Sequence, residues 1–441
     1  MGILEGVPLA WQAAIFGFGG VLTLIMVGIP IAFAMLGVGM VGVLAIVGPN
    51  AVMGMAGQLP FTTVVSYDLS VVPMFVLMGV LVARAGMSED IYRLCHGFLG
   101  HRRGGLASAT VVACGGFSAV CGSSIATVAT MGKVAMPEMR RFGYGDALAS
   151  GAVAAGGTLG ILIPPSVILV LYGIATGTDI GALFIAGIVP GILAILLYVA
   201  AIWIIATVDP SAGPVAPRVP WRERLAHLKT IGPIVLLFLV IIGGIYFGVF
   251  TPTEAAGIGA FFAFLFALWR RALTVRLAVD VLIETVTTTA ALFVVLIGAL
   301  FFGNFMNLAG LPEALKSLIA AANVSPLGVI LIILAIYMIL GCFMESLSMM
   351  LLTVPIFFPV VVGELGYDAI WFGIFVVMVT ELSLVTPPVG LNLFVLRSVI
   401  QDVSMGTVYR GILPFVAADA VRLAIIIAVP GLVLALPQLM S

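Results

Sequence analysis

The sequence predicts an all-α polytopic membrane protein whose centre is a pair of inverted repeats, each holding a re-entrant hairpin and a discontinuous helix. Three observations lead there. The chain is 63% hydrophobic and only 8% charged, where a soluble domain carries about 25% charged residues. Its basic residues fall in tight clusters between long apolar runs. Glycine and proline marks recur in order at a spacing of 223 or 224 residues.

The runs Trp11 to Val47, Ile231 to Val249, Val286 to Phe302 and Val421 to Leu436 meet or approach the ~20 residues a helix needs to cross ~30 Å of hydrocarbon. A transmembrane barrel fits poorly, because its strands alternate over segments of about 10 residues. The start, Met1-Gly2-Ile3-Leu4-Glu5, lacks the basic region of a cleavable leader, so Trp11 is expected to begin a span. Residues 1–69 are assigned to N-terminal scaffold helices. Up to residue 48 they read as two spans joined near Gly28-Ile29-Pro30, with one long tilted helix as the alternative.

Basic residues mark the cytoplasmic side. They cluster at Arg84, Arg93, Arg102 and Arg103; at Lys133, Arg140 and Arg141; at Arg218, Arg222, Arg224 and Lys229; and at Arg270, Arg271 and Arg276. With all four clusters inside, residues 104–132 must leave the cytoplasm and return. That stretch is too short for two spans, and it has a small-residue apex at Cys121-Gly122-Ser123-Ser124. A re-entrant hairpin satisfies both constraints, its irregular tip shielded by protein. Residues 143–177 then cross as a broken helix and 182–206 return. Residues 209–280 supply a cytoplasmic loop and connecting helices, with a turn at Thr251-Pro252-Thr253-Glu254. Residues 281–306 cross again.

The repeats follow from aligned marks. Ala85-Gly86 matches Ala309-Gly310, Gly105 matches Gly328 and Ser123 matches Ser346. Gly143-Tyr144 matches Gly366-Tyr367, Pro164-Pro165 matches Pro387-Pro388, and Gly187 with Pro190 matches Gly411 with Pro414. An odd number of crossings, five by this count, separates Gly86 from Gly310, so the second copy is inverted. The first repeat occupies 70–208. The second occupies 281–441, with a hairpin over 326–361 and a broken helix over 368–397. Met87–Leu99 and Leu311–Ala321 look amphipathic and are expected along the interface.

Two inverted repeats with discontinuous helices are a signature of secondary transporters. Tandem prolines remove backbone donors and clash with the preceding turn, so Pro164-Pro165 and Pro387-Pro388 are expected to unwind their helices; a plain kink, or a loop between separate spans, is the alternative. Freed carbonyls suit a cation and freed helix N-termini suit an anion. Ser123, Ser124 and Thr127 place hydroxyls by the first break, and Ser346, Thr386 and Asn392 place polar groups by the second. Hard oxygen donors suit Na⁺, although single hydroxyls can instead satisfy themselves on the preceding turn. Glu345 and Glu381 are the acids expected deepest in the membrane, as cation or proton sites; alternatively Glu345 caps a wet hairpin tip. Glu284 is expected to be solvated, Asp419 and Arg422 to pair at i and i+3, and Glu254 to complement a helix start. Cys95, Cys114, Cys121 and Cys342 show no metal spacing and are expected to pack as small hydrophobes. No Walker sequence or other enzyme constellation is found, the three histidines show no ligand spacing, and a net charge of −1 disfavours nucleic acid.

The motifs resemble a known family. Gly122-Ser123-Ser124-Ile125-Ala126-Thr127, Gly143-Tyr144, Thr158-Leu159-Gly160, Ile163-Pro164-Pro165-Ser166, Leu183-Phe184 and Gly187-Ile188-Val189-Pro190-Gly191 are similar to the large membrane subunit of TRAP (tripartite ATP-independent periplasmic) transporters, the DctM type. So are Thr251-Pro252-Thr253-Glu254-Ala255-Ala256 and Glu381 with Thr386-Pro387-Pro388-Val389-Gly390-Leu391-Asn392-Leu393-Phe394. The resemblance implies a fold like that of the ion-transporter superfamily. It implies Na⁺-coupled import of an organic acid across the bacterial inner membrane by an elevator movement. It also implies a small four-helix membrane subunit of the DctQ type and a periplasmic substrate-binding protein. Carried over, the first of two Na⁺ sites involves Ser123, Ser124, Gly160 and Ile163, and the second Gly341, Met344, Glu345, Thr386 and Gly390. Substrate contacts fall on Ser124, Thr127, Pro165, Ser166, Pro388 and Asn392. Gly156-Gly157, Ile161 and Glu345 depart from the family pattern. A stand-alone Na⁺- or H⁺-coupled carboxylate carrier of related fold is the alternative.

Overall fold

The computed structural model describes residues 8–440, and every regular element among them is helical. Helices α1 (Leu9–Met26) and α2 (Ile31–Ile46) are separate and joined by a turn, as the Gly28-Ile29-Pro30 sequence suggests. Pro30 supplies the residue before α2, where its fixed φ suits a helix entry. Helix α3 (Pro49–Val65) follows and bends by 59° into a short turn leading to α4 (Val71–Arg84).

From α4 onward the chain runs through one set of elements twice. Helix α5 (Met87–Leu99) is followed by α6 (Gly105–Cys121) and α7 (Ser124–Arg141), the two arms of the first hairpin. Then come α8 (Asp146–Thr158) and α9 (Val167–Thr176), the halves of the first broken helix, and the long α10 (Ile180–Val208). Helices α11 (Trp221–Tyr246) and α12 (Pro252–Trp269) connect the copies. The second series is the end of α13 (Val275–Leu308), then α14 (Leu311–Ala321), α15 (Pro326–Leu340), α16 (Ser346–Phe358), α17 (Ala369–Val385), α18 (Leu391–Val399) and α19 (Met405–Ala428). The marks that align in sequence do the same backbone work. Gly86 and Gly310 sit at φ +76° and +75° and open α5 and α14, a left-handed conformation that only glycine adopts freely. The proline pairs fall in the interruptions between α8 and α9 and between α17 and α18.

Seven of the described helices are long and apolar enough to cross a membrane. The first arm of each hairpin, α6 and α15, and each half of both broken helices fall short of that length, in keeping with re-entrant elements. Large side chains such as Phe16, Phe33, Leu236, Phe261 and Ile283 are exposed on α1, α2 and α11–α13, surface that water does not tolerate and a bilayer does.

Two details differ from the sequence expectation. The second hairpin arm α7 continues past residue 132 to Arg141; Lys133, read as the end of the hairpin, lies on an exposed helix face and does not interrupt it. Helix α13 is 34 residues long and joins the connecting segment to the second repeat without a break, because its Asp280 and Glu284 are polar but not helix-breaking.

Helix α2 lies directly on α13. A Cβ on Gly39 would sit 2.6 Å from the Phe301 carbonyl carbon and 2.7 Å from the Phe302 nitrogen. Small residues permit this approach of two backbones, which drives helix association in lipid. Gly39→Val is therefore expected to destabilise the scaffold by about 1–3 kcal/mol, read as a lowered thermal midpoint of the purified protein. An unchanged midpoint would show that the two backbones can separate freely. On the connecting segment, Thr251 and Glu254 form a reciprocal capping box at the start of α12, in line with the expected role of Glu254.

Candidate functional site

A cleft of about 750 Å³ brings the two hairpin tips together. Gly122, Ser123 and Ser124 line it from the first tip, and Glu345, Ser346 and Leu347 from the second. Its walls come from α4, α7 and α13, with Arg84, Lys133 and Glu284 among the lining residues. Arg84 donates to Glu284 at 2.7 Å, so Glu284 is ion-paired as well as partly solvated.

The first tip is built to turn without regular hydrogen bonding. Gly122 ends α6 at φ +64°, and Ser123 caps α7 in an extended conformation, its Oγ accepting from the Ala126 amide at 3.4 Å. The tip rests on the first broken helix. A Cβ on Gly160 would lie 2.6 Å from the Ser123 oxygen and 2.8 Å from the Ser124 nitrogen, and one on Gly122 would lie 2.9 Å from the Pro165 oxygen. Between α8 and α9 the chain makes one 3₁₀ turn, Leu159–Ile161, and then runs to Ser166, which caps α9.

The second tip repeats this plan with different chemistry. Helix α15 ends at Leu340, and Gly341 packs against the Ser383 side chain of α17. Glu345 occupies the cap position of α16 and accepts a hydrogen bond from Ser348 Oγ at 3.1 Å. Beyond α17, Thr386 is extended and Gly390 at φ +66° precedes α18. Tyr409 of α19 donates to the Pro388 carbonyl at 2.5 Å and lies 3.2 Å from that of Val389.

Ser123, Ser124 and Glu345 share the cleft. Gly160 and Pro165 lie directly behind the first tip, and Ile163 lies within the same break. Thr127, Ser166 and Thr386 donate to the carbonyls of Ser123, Ile161 and Leu382 at 2.8, 2.6 and 2.6 Å; their oxygens keep lone pairs. Met344 is buried beside Glu345, and Pro388 is exposed. Asn392 is fully buried at the start of α18, and neither its amide nitrogen nor its oxygen has a partner among the described residues. Such an orphaned pair is rare in a native interior and calls for a ligand or water. Glu381 does not line the cleft. It is sealed between α17 and α19, 3.4 Å from Arg422, which also holds Asp419 at 2.9 Å. Sequence reasoning anticipates the Asp419–Arg422 pair but misses Glu381 as its third member. It also misses Ser383 and Tyr409, which no local motif marks.

Each tip and each break ends one helix and starts another. The arrangement thus collects carbonyl ends, which favour a cation, and helix N-termini, which favour an anion.

Comparison with known proteins agrees with this architecture. The family described as tripartite ATP-independent periplasmic transporter, DctM component, matches residues 18–432. The chain is 40% identical to the C4-dicarboxylate TRAP transporter large permease protein DctM of Pseudomonas aeruginosa, covering 91% of this chain and 93% of that one. It is 34% identical to the sialic acid TRAP transporter large permease protein SiaM of Vibrio cholerae, over 97% and 98%. It is 32% identical to the isethionate TRAP transporter permease protein DctMQ of Oleidesulfovibrio alaskensis, over 94% of this chain and 65% of the relative. Among solved structures, the Alcanivorax borkumensis YdaH transporter superposes with a TM-score of 0.63 over 96% of this chain and 97% of that one, at 14% identity, a likeness of fold alone. The chain belongs to the DctM family, the multi-pass inner-membrane large permease of TRAP transporters.

Proposed function

We propose that this chain is the transporting subunit of a Na⁺-coupled importer of an organic acid, and that it depends on a periplasmic substrate-binding protein and a small four-helix membrane subunit. The observation that carries the reading is the meeting of both hairpin tips in one cleft, each tip braced on or beside a broken helix. The residues fit a hard cation. Backbone carbonyls freed at the breaks, the hydroxyls of Ser123 and Thr386 and the Glu345 carboxylate are all oxygen donors, which suits Na⁺ and leaves no role for softer metals. The N-termini of α7, α9, α16 and α18, with the orphaned amide of Asn392, supply donors for a carboxylate.

Na⁺ held between tip and break by the freed carbonyls, the Ser123 and Thr386 hydroxyls and the Glu345 carboxylate would offset their negative ends and favour each tip seated at its broken helix. The organic acid then finds donors that face it and a site whose net charge is reduced. Movement of the hairpins and broken helices as one body, against α1–α4 and α11–α13, would carry both across the barrier. Relatives named for C4-dicarboxylate, sialic acid and isethionate support an acidic substrate. The joined DctMQ relative, of which this chain covers only 65%, supports a separate small partner.

Reconstitution into liposomes tests the proposal. Uptake of a C4-dicarboxylate or another organic acid is expected only with an inward Na⁺ gradient, the small subunit and the loaded binding protein all present. Gradient-driven uptake by this chain alone would establish the stand-alone carrier instead.

A further inference from the structure

Away from the cleft, five polar side chains meet in the interior. Glu381 of α17 is 0% exposed, Asp419 of α19 is 2% and Arg422 of α19 is 1%. Arg422 reaches Asp419 at 2.9 Å and Glu381 at 3.4 Å. Tyr198 of α10 donates to Asp419 at 2.5 Å and lies 3.2 Å from the Thr158 hydroxyl at the end of α8. The cluster follows the internal symmetry. Glu381 stands 223 residues after Thr158, and Arg422 stands 224 after Tyr198. The pair Thr158–Tyr198 in one repeat is thus replaced by Glu381–Arg422 in the other, and Asp419 bridges the two pairs.

The charge count is the difficulty. Two carboxylates face one guanidinium, so the fully ionised cluster carries a net charge of −1. An uncompensated charge in a dry interior is among the most costly features a fold can carry. Among the described residues no further cation pairs with the cluster. Tyr337 of α15 and Tyr172 of α9 also pack near α17, but they are bonded to Thr353 and to the Ala369 carbonyl. Among the described residues, Glu381 is paired with Arg422, which in turn holds Asp419.

We propose that this cluster is a proton-binding site and that Glu381 carries the proton. The choice between the two acids rests on their contacts. Asp419 accepts a 2.5 Å hydrogen bond from Tyr198 and lies 2.9 Å from the Arg422 guanidinium, the environment of an ionised carboxylate, with its Oδ1 in the ion pair but in no hydrogen bond among the described residues. Glu381 has a longer approach, one 3.4 Å hydrogen bond from Arg422, and no second donor; its Oε1 makes no hydrogen bond among the described residues. A bare oxygen on a neutral carboxyl costs far less than one on a carboxylate. With that proton the cluster is electrically neutral, and it ties α8 and α10 of one repeat to α17 and α19 of the other. The proposal does not rest on Na⁺ coupling, since none of the five side chains lines the cleft.

Infrared spectroscopy of the full chain in lipid nanodiscs at neutral pH tests it. The wild-type spectrum minus that of Glu381→Gln should contain one band from a protonated carboxyl. That band should shift when glutamate is labelled with carbon-13 and stay when aspartate is labelled. Absence of the band, or a shift with labelled aspartate, would overturn the assignment. A proton held only by the folded protein is a stabilising ligand, so the thermal midpoint of the wild type should fall more steeply with rising pH than that of Glu381→Gln; equal slopes count against the proposal. If Glu381→Gln does not fold, Asp419→Asn serves instead. It removes the surplus negative charge, so Glu381 should ionise against Arg422 and the same glutamate band should vanish; its persistence would overturn the proposal.

Discussion

Arg422→Leu is expected to destabilise the protein by about 3–5 kcal/mol, the range for removing one partner of a buried ion pair. The substitution leaves Asp419 without its countercharge, 2% exposed and facing only the Tyr198 hydroxyl at 2.5 Å. It also removes the hydrogen bond and ion pair that Glu381 makes among the described residues. The loss should appear as a sharp drop in thermal midpoint and in the yield of monodisperse protein after extraction. Adding Asp419→Asn makes the cluster neutral again, with Glu381 protonated, and should recover most of the loss. A single variant weakened by less than about 1 kcal/mol would place the cluster with surface ion pairs, contrary to its burial.

Gly160→Val is expected to reduce uptake by on the order of 100-fold while leaving the protein folded. Position 160 has no room for a side chain, because a Cβ there meets the Ser123 oxygen at 2.6 Å. Both partners are backbone, so no rotamer change relieves the clash and the first tip must lift from the broken helix. Displacing a binding group by about 1 Å can cost 10²-fold in rate. Gly232 has nothing within 4 Å of its Cβ position, and Gly232→Ala is the matched control that should retain uptake. Equal uptake by the two variants would separate transport from the contact between tip and break.

Much of this architecture is legible in the sequence because local backbone chemistry dictates it. Gly86 and Gly310 must precede helices α5 and α14, since only glycine turns the chain there at positive φ. The Cys121-Gly122-Ser123-Ser124 apex and the two proline pairs interrupt helices wherever they stand. The site is legible only in part. Ser123 and Ser124 carry a local sign, a cap before an apolar run. The rest of the site is tertiary. The seat of Gly160 on Ser123, the packing of Gly341 on Ser383 and the reach of Tyr409 to the second break depend on how the repeats dock. Asp419 and Arg422 are one turn apart and announce each other; Glu381 is 41 positions from Arg422, and only the repeat offset, which maps it onto Thr158, points to it. The end of α7 is missed for a different reason. Charge alone does not stop a helix, and the stop comes only near Gly143 at φ +79°.

Equilibrium binding of radioactive Na⁺ to the purified transporter tests the two coupling-ion sites without substrate or partner proteins. Saturable binding at two sites is expected, one lost in Ser123→Ala and the other weakened in Thr386→Ala, with the fold of both variants intact. Full Na⁺ binding in both variants, or none in the wild type, would contradict the claim that the two hairpin tips and the two broken helices form the coupling-ion sites.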